Sequence, residues 1–305
     1  MPTSPQAPEF DVIVIGGSYA GLSAATQLAR ARRRVLVIDA GQRRNRAALH
    51  SHGFLTQDGS EAAAIAALGR EQLLKYPTVA WANEAAVSAH ADGDHFTVSF
   101  NDGGTVDGRR LVLATGVADA LPPIAGLAER WGGSVFHCPY CHGYELDQGS
   151  IGVIASGELS MHQALLLPDW GPVTFFTNQA FTPTPEQLAM LAARGVVVVD
   201  TPLARIAGHA DVVLTDGRSL SMAGLFVMSR TSPASSLPAQ LGCALEDGPM
   251  GPFVQTDMMK ATNVSGVFCC GDMARPAGNV ASAVADGAMA GVGAHRSLIA
   301  AFNPA

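Results

Sequence analysis

Apolar residues in this chain fall into short blocks rather than long stripes. Val12 to Ile15 and Val35 to Ile38 are runs rich in β-branched side chains, the signature of strands buried on both faces. Between them Leu22, Ala25, Leu28 and Ala29 recur at helical spacing, and Gly16, Gly17 and Gly21 mark the joint. Strand, glycine turn, helix and strand make a βαβ unit of about 30 residues that ends at an acid, Asp39. The same alternation returns later. Leu111 to Val117 reads as a strand ending in Ala-Thr-Gly, and Gly266 to Gly291 as a strand, a Gly-Asp pair and a helix of small residues. Ser150 to Leu167 reads as strand, turn and helix, Pro172 to Asn178 and Gly195 to Asp200 as strands, and Asp211 to Ser229 as a hairpin with a further strand. The pattern predicts an α/β chain in which a smaller α/β domain, 118–242, interrupts a larger one made of 1–117 and 243–305.

The first turn carries its own chemistry. Gly16 permits a tight turn and Gly21 lets helix and strand pack closely. The amides at the helix start face a pyrophosphate with the positive end of the helix dipole. Asp39 can accept hydrogen bonds from a ribose. Ser18 replaces the middle glycine of G-x-G-x-x-G and is small enough for the backbone to approach a ligand. The expected dinucleotide-binding residues here are Gly16, Ser18, Tyr19, Ala20, Gly21, Asp39 and Ala40.

Composition narrows the partners. The chain has 305 residues, 48% of them hydrophobic and 15% charged, with a formal net charge of -7. That composition argues against long disordered regions, and the sparse basic clusters argue against nucleic acid. No apolar run approaches the roughly 20 residues of a membrane span, and the first residues lack a signal-peptide pattern. The expectation is a cytoplasmic protein, where structural disulfides are rare. The segment "FHCPYCHGYE", Phe136 to Glu145, therefore stands out. Its C-x-x-C pair, Cys138 and Cys141, has four readings: a redox disulfide, half a zinc site, a haem attachment, or an inert buried pair. The other cysteines, Cys243, Cys269 and Cys270, offer no second C-x-x-C, which weakens zinc. The absent signal weakens haem. Cys269 and Cys270 end an apolar strand, where cysteine acts as a small hydrophobe.

These motifs together resemble the flavoprotein disulfide reductases, and over essentially the whole chain the low-molecular-weight thioredoxin reductases. The resemblance implies two Rossmann-like domains and FAD as cofactor. It places FAD against Ala114, Thr115 and Gly116, with Gly271 and Asp272 at the ribityl chain and Asn279 and Val280 near the flavin pyrimidine. The segment Arg43 to Gly59 wraps the cofactor in that family, which brings in Arg44, Asn45 and His52. The family's redox C-x-x-C lies in the inserted domain just before its own nucleotide turn, where Cys138 and Cys141 stand. Cys141 then faces the flavin and Cys138 exchanges with substrate. Pro139 suits a first helical turn, and a helix start favours a thiolate. "CPYC" is also similar to the glutaredoxin motif, but glutaredoxins are far shorter and carry it near the N-terminus.

Three departures bear on function. The second turn, Ala155 to Ser160, keeps only Gly157 of the expected glycines and places Glu158 where a pyrophosphate would sit. Thr177 to Thr182 holds no cation where the family clamps the NADPH 2′-phosphate with arginines. His142 replaces the aspartate that follows the second cysteine. The string "CPYCHGYE" is similar to a branch of FAD-dependent dithiol oxidases of the gliotoxin and holomycin type. That resemblance implies a substrate dithiol, dioxygen as acceptor and a homodimer, with His142 and His137 removing the thiol proton. Ordinary NADPH-dependent thioredoxin reduction, a ferredoxin-dependent reductase and a flavin redox sensor are the alternatives.

Overall fold

The computed structural model describes residues 9–299. They divide into two compact units: Met1–Arg44, Ala63–Ala118 and Thr231–Ala305 form one, and Asn45–Ala62 with Asp119–Arg230 form the other. The sequence-derived bounds place 45–62 and 231–242 the other way round.

In the first unit the strands Phe10–Ile15 and Val35–Ile38 pair in parallel, Ile13 opposite Leu36, and the helix Tyr19–Arg30 connects them. Val79–Ala82 extends the sheet beyond Val35–Ile38, and Thr105–Leu113 lies on the other side of Phe10–Ile15. Thr105–Leu113 then serves two neighbours. Its first half pairs antiparallel with His95–Phe100, and its last three residues pair in parallel with Val267–Cys269. Val12, Ile13, Val14, Val35, Val37 and Leu111 to Leu113 are completely buried, which explains why these strands read as unbroken apolar runs rather than alternating ones. The predicted strand Leu111 to Val117 stops at Leu113. Gly116 takes φ +72° and the chain turns there before a short strand, Val117–Ala120.

The long helix Val280–Ser297 lies on Tyr19–Arg30 at very close range. A Cβ at Gly287 would strike the carbonyl of Ala20, and one at Gly291 would strike that of Ala24. Ser23 Oγ donates to Val284 O at 2.7 Å across the same interface. The small residues that marked this helix in the sequence are thus a packing requirement.

The second unit is built on a parallel sheet of five strands, ordered Val135–Phe136, Gly224–Val227, Ile151–Ile154, Val173–Phe176 and Val197–Val199. Its core holds Phe175, Phe176 and Phe226 without exposure. An antiparallel sheet of three strands, Leu203–Ala207, Asp211–Leu214 and Ser219–Ser221, contains the predicted hairpin. The segment Asn45–Ala62 closes on itself through His50–Ser51 paired with Ser60–Glu61. It packs where a Cβ on Gly132 would meet Ala47. Among the described residues no helix is long and apolar enough to cross a membrane.

Candidate active site

The first unit holds most of the residues expected to cradle the cofactor. Gly16 has φ +108°, and a Cβ there would collide with the carbonyl of Ala114. A Cβ at Gly21 would collide with the carbonyl of Gly16, so helix and turn touch backbone to backbone. Ser18 is the N-cap of Tyr19–Arg30 and makes no capping bond with its side chain, so its hydroxyl does not compete for the amides of the first turn. Gly17 donates its amide to Asp39 Oδ1 at 3.1 Å, which fixes the acid at the end of the second strand beside the turn. Asp272 sits on the turn Gly271–Ala274, where Gly271 has φ +73° and packs over Ala20. Its carboxylate accepts from Arg44 at 2.8 Å. Gly278 leaves room for it, since a Cβ there would overlap Oδ1. Thr115 Oγ1 reaches Met273 Sδ at 3.5 Å.

Val280–Ser297 begins with a full capping box, Asn279 Oδ1 accepting from Ser282 N–H at 2.8 Å. The side chain of Asn279 is therefore spent on the helix, and the amide of Val280 stands at the positive end of a long dipole. A turn without side chains, an uncapped helix start, and two carboxylates flanked by glycines fit a dinucleotide. Gly16, Ser18, Tyr19, Ala20, Gly21, Asp39, Ala40, Ala114, Thr115, Gly116, Gly271, Asp272 and Val280 all belong to this unit. Asn45 and His52, expected with them, belong to the second unit.

There the Cys138–Cys141 disulfide occupies a single helical turn, Pro139–His142. Cys138 is its N-cap and Pro139 its first residue, as the sequence predicts, but one turn has only a small dipole with which to stabilise a thiolate. Gln163, buried on the neighbouring helix Ser160–Leu166, donates Nε2 to the carbonyl of His137 at 2.6 Å and holds the backbone just before Cys138. A Cβ on Gly143 would strike the Trp170 ring, and Trp170 in turn meets exposed Tyr140 edge to face at 5.3 Å.

His142 stacks on Phe136 with ring centres 4.3 Å apart. Burial, helped by the nearby charge of His52, lowers its pKa to about 4. It is neutral at physiological pH. His52 Nδ1 lies 3.2 Å from Glu145 Oε1 and 3.7 Å from Asp58 Oδ1. Sequence reasoning missed Gln163, Trp170 and the pairing of His52 with Glu145. Among these, only Glu145 carried a signal, as the end of the motif string.

The second nucleotide turn is closed by its own side chains. Glu158 Oε1 accepts from Gln187 Nε2 at 2.8 Å, and Ser160 Oγ accepts from Ser156 N–H at 3.0 Å. Asn178 Oδ1 accepts from the amide of Leu203 at 2.9 Å. Arg218, which reaches Thr201, is committed to Asp216. Cys269 and Cys270 are fully buried, and burial pushes the Cys270 thiol up to about 12 and Cys269 well above its usual range. Both are inert small hydrophobes.

A family model described as pyridine nucleotide-disulphide oxidoreductase matches residues 10–289. The chain belongs to that family. Thioredoxin-reductase-like members of it are FAD-binding flavoproteins, so FAD is the cofactor and the chain is an oxidoreductase. "Thioredoxin reductase sirT" of Leptosphaeria maculans is 34% identical, over 96% of this chain and 95% of its own. "Thioredoxin reductase tcpT" of Claviceps purpurea is 32% identical over the same shares. Among solved structures, an oxidoreductase from Agrobacterium tumefaciens is 57% identical with a TM-score of 0.93, covering 95% of this chain and 98% of that one. HlmI is 34% identical with a TM-score of 0.88, over 95% and 92%. These likenesses bear out the thioredoxin-reductase-like, two-domain α/β reading of the sequence.

Proposed function

We propose that this flavoprotein is a dithiol oxidase that works without NADPH. The observation that carries the proposal is the second nucleotide turn. A pyrophosphate needs free backbone amides and no negative charge at that position. Here Ser160 occupies an amide, and Gln187 holds Glu158 in place. No cation follows the neighbouring strand to bind a 2′-phosphate.

The Cys138–Cys141 disulfide is the electron acceptor for substrate. A substrate thiolate attacks Cys138 Sγ, a mixed disulfide forms, and Cys141 leaves as thiolate. The second substrate thiolate then attacks the same substrate sulfur, closing the product disulfide and releasing Cys138. When bound, FAD would supply the two-electron acceptor needed to re-form the pair, with dioxygen as the final acceptor. In sum a dithiol becomes a disulfide and dioxygen becomes hydrogen peroxide, with two electrons and two protons moved.

Gly16, Gly21 and the first turn of Tyr19–Arg30 would hold the pyrophosphate, Asp39 the adenosine ribose, Asp272 the ribityl chain and Val280 the flavin end. Gln163 keeps the Cys138 turn rigid. His142, directly after Cys141 in the chain as His137 is directly before Cys138, is one of the two imidazoles flanking the pair. Its low proton affinity means that any proton it accepts must be passed on. A homodimer and a cytoplasmic setting belong to the same proposal and rest on the family resemblance.

The test is reduction of the purified yellow protein without oxygen, followed by flavin absorbance. Dithiothreitol is expected to bleach it and NADPH is not, with colour and peroxide appearing when air is admitted. Prompt bleaching by NADPH overturns the proposal in favour of a thioredoxin reductase.

A further inference from the structure

The oxidase reading leaves the substrate proton without a resting place. His142 is next to the disulfide, but it is stacked on Phe136 and half-buried, and it gives up a proton readily. A second imidazole stands in the same unit. His52 comes from the segment Asn45–Ala62, far from the Cys motif in sequence. It meets Glu145 on the turn Tyr144–Leu146, which directly follows the turn Pro139–His142.

We propose that His52 is the base that takes up the proton of the incoming substrate thiol, with Glu145 as its positioning residue. This inference rests on the dithiol oxidase reading. The geometry resembles any imidazole oriented by a carboxylate. His52 Nδ1 lies 3.2 Å from Glu145 Oε1. With Nδ1 on the carboxylate side, Nε2 is the ring nitrogen assigned to the substrate proton. The Glu145 carboxylate faces the ring that receives the proton. Asp58, 3.7 Å from Nδ1, adds negative charge on the side of its own loop. Two other imidazoles lie near His52. His50 has its ring centre 6.5 Å away, and His142 is close enough for its proton affinity to be lowered by charge on His52. His52 keeps about a fifth of its side chain exposed, enough to return the proton to water.

The step balances as follows. The substrate S–H bond breaks, its proton goes to His52 Nε2, and the sulfur keeps the electron pair. That pair forms the bond to Cys138 Sγ, while the pair of the old disulfide bond leaves on Cys141 Sγ. The disulfide is the oxidant, and no further reactant is needed in this half of the cycle.

The test uses the FAD-loaded protein in stopped flow without oxygen, with dithiothreitol as reductant, from about pH 6 to about pH 10. A wild-type protein that dithiothreitol does not bleach overturns the oxidase reading itself. Given bleaching, His52→Ala is expected to slow it about 100-fold near neutral pH. The deficit should close as rising pH supplies thiolate directly. Glu145→Gln retains a bonding partner for Nδ1 without the charge. It is expected to slow the same phase about tenfold near neutral pH, a fraction of the general-base effect, with the same closure at high pH. It also serves if His52→Ala does not load FAD. A deficit that is equal at every pH marks a merely structural contact and overturns the proposal. Wild-type rates in both variants overturn it as well.

Discussion

Gln163 Nε2 and the carbonyl oxygen of His137 are 2.6 Å apart, and this bond ties the residue before Cys138 to the helix that follows the nucleotide-like turn. The amide side chain is almost wholly buried, so its partner cannot be replaced by water. Gln163→Ala removes this donor from the His137 carbonyl. The expected cost is about 0.5–1.5 kcal/mol, read as a lower urea midpoint of the oxidised protein. The turn that carries the disulfide also loses its anchor, so anaerobic bleaching by dithiothreitol should slow with little change in flavin content. Unchanged stability and rate together would show that the turn is held by other contacts.

His142 makes the folded protein sensitive to acid in a defined window. Its pKa is lowered from an ordinary 6.5 to about 4, so between those values the unfolded chain binds more protons than the folded one. Stability therefore rises with pH across this window. The contribution is complete above the unfolded value and is lost as pH falls towards about 4. The full span is about 3 kcal/mol. His142→Phe keeps an aromatic ring against Phe136 and cannot titrate. The difference in unfolding free energy between pH 7 and pH 5 should be smaller in the variant than in the wild type. Equal differences would mean that His142 titrates normally.

Much of this was legible in the sequence where local pattern alone dictates structure. Val12 to Ile15 lies inside the strand Phe10–Ile15, and Val35 to Ile38 is a strand from end to end, because burial on both faces leaves an unbroken apolar run. Other parts were not legible. Asp107, Arg109 and Arg110 hide the first six residues of Thr105–Leu113, of which only Val106 and Gly108 are buried. The Cys pair announced itself through spacing. Glu145 with His52, and Gln163 with His137, join distant segments through single side chains, and no periodicity records such contacts. The capping role of Asn279 escaped for another reason: Asn-x-x-Ser reads equally well as a ligand contact and as a helix start.

Gly287 tests whether close helix packing supports the cofactor cradle. A Cβ there would meet the backbone of Ala20, which belongs to the turn built on Gly16 and Gly21. Backbone cannot yield as a flexible side chain can, so Gly287→Val must push the two helices apart. Overpacking of this kind costs about 1–3 kcal/mol. Because Ala20 moves with its helix, the purified variant should also carry less flavin than wild type, measured as the ratio of visible to ultraviolet absorbance. Gly157→Ala serves as the control: nothing lies within 4 Å of its added Cβ, although its φ of +155° keeps it from being neutral. Full flavin content in Gly287→Val would break the link between helix packing and the cradle.

The closed nucleotide turn yields a stepwise prediction. Besides the Ser156 amide taken by Ser160, two obstacles stand in it: the negative charge of Glu158 held by Gln187, and the absence of a cation after the strand Val173–Phe176. They act on different parts of a dinucleotide, the pyrophosphate and the 2′-phosphate. Glu158→Gly removes the first only, and should leave anaerobic bleaching by NADPH undetectable, because the pyrophosphate alone gives little affinity. Asn178→Arg with Gln179→Arg supplies the second only. These two residues already take left-handed backbone angles, φ +48° and +55°, which arginine adopts at some cost. The triple variant offers both contacts, and each charge-assisted pair contributes about 1.5–3 kcal/mol. It should bind NADPH at least tenfold more tightly than either partial variant, measured by titration of the oxidised protein. Equal binding by Glu158→Gly and the triple variant would mean that the missing cation was never the barrier, and that the carboxylate alone keeps the nicotinamide cofactor out.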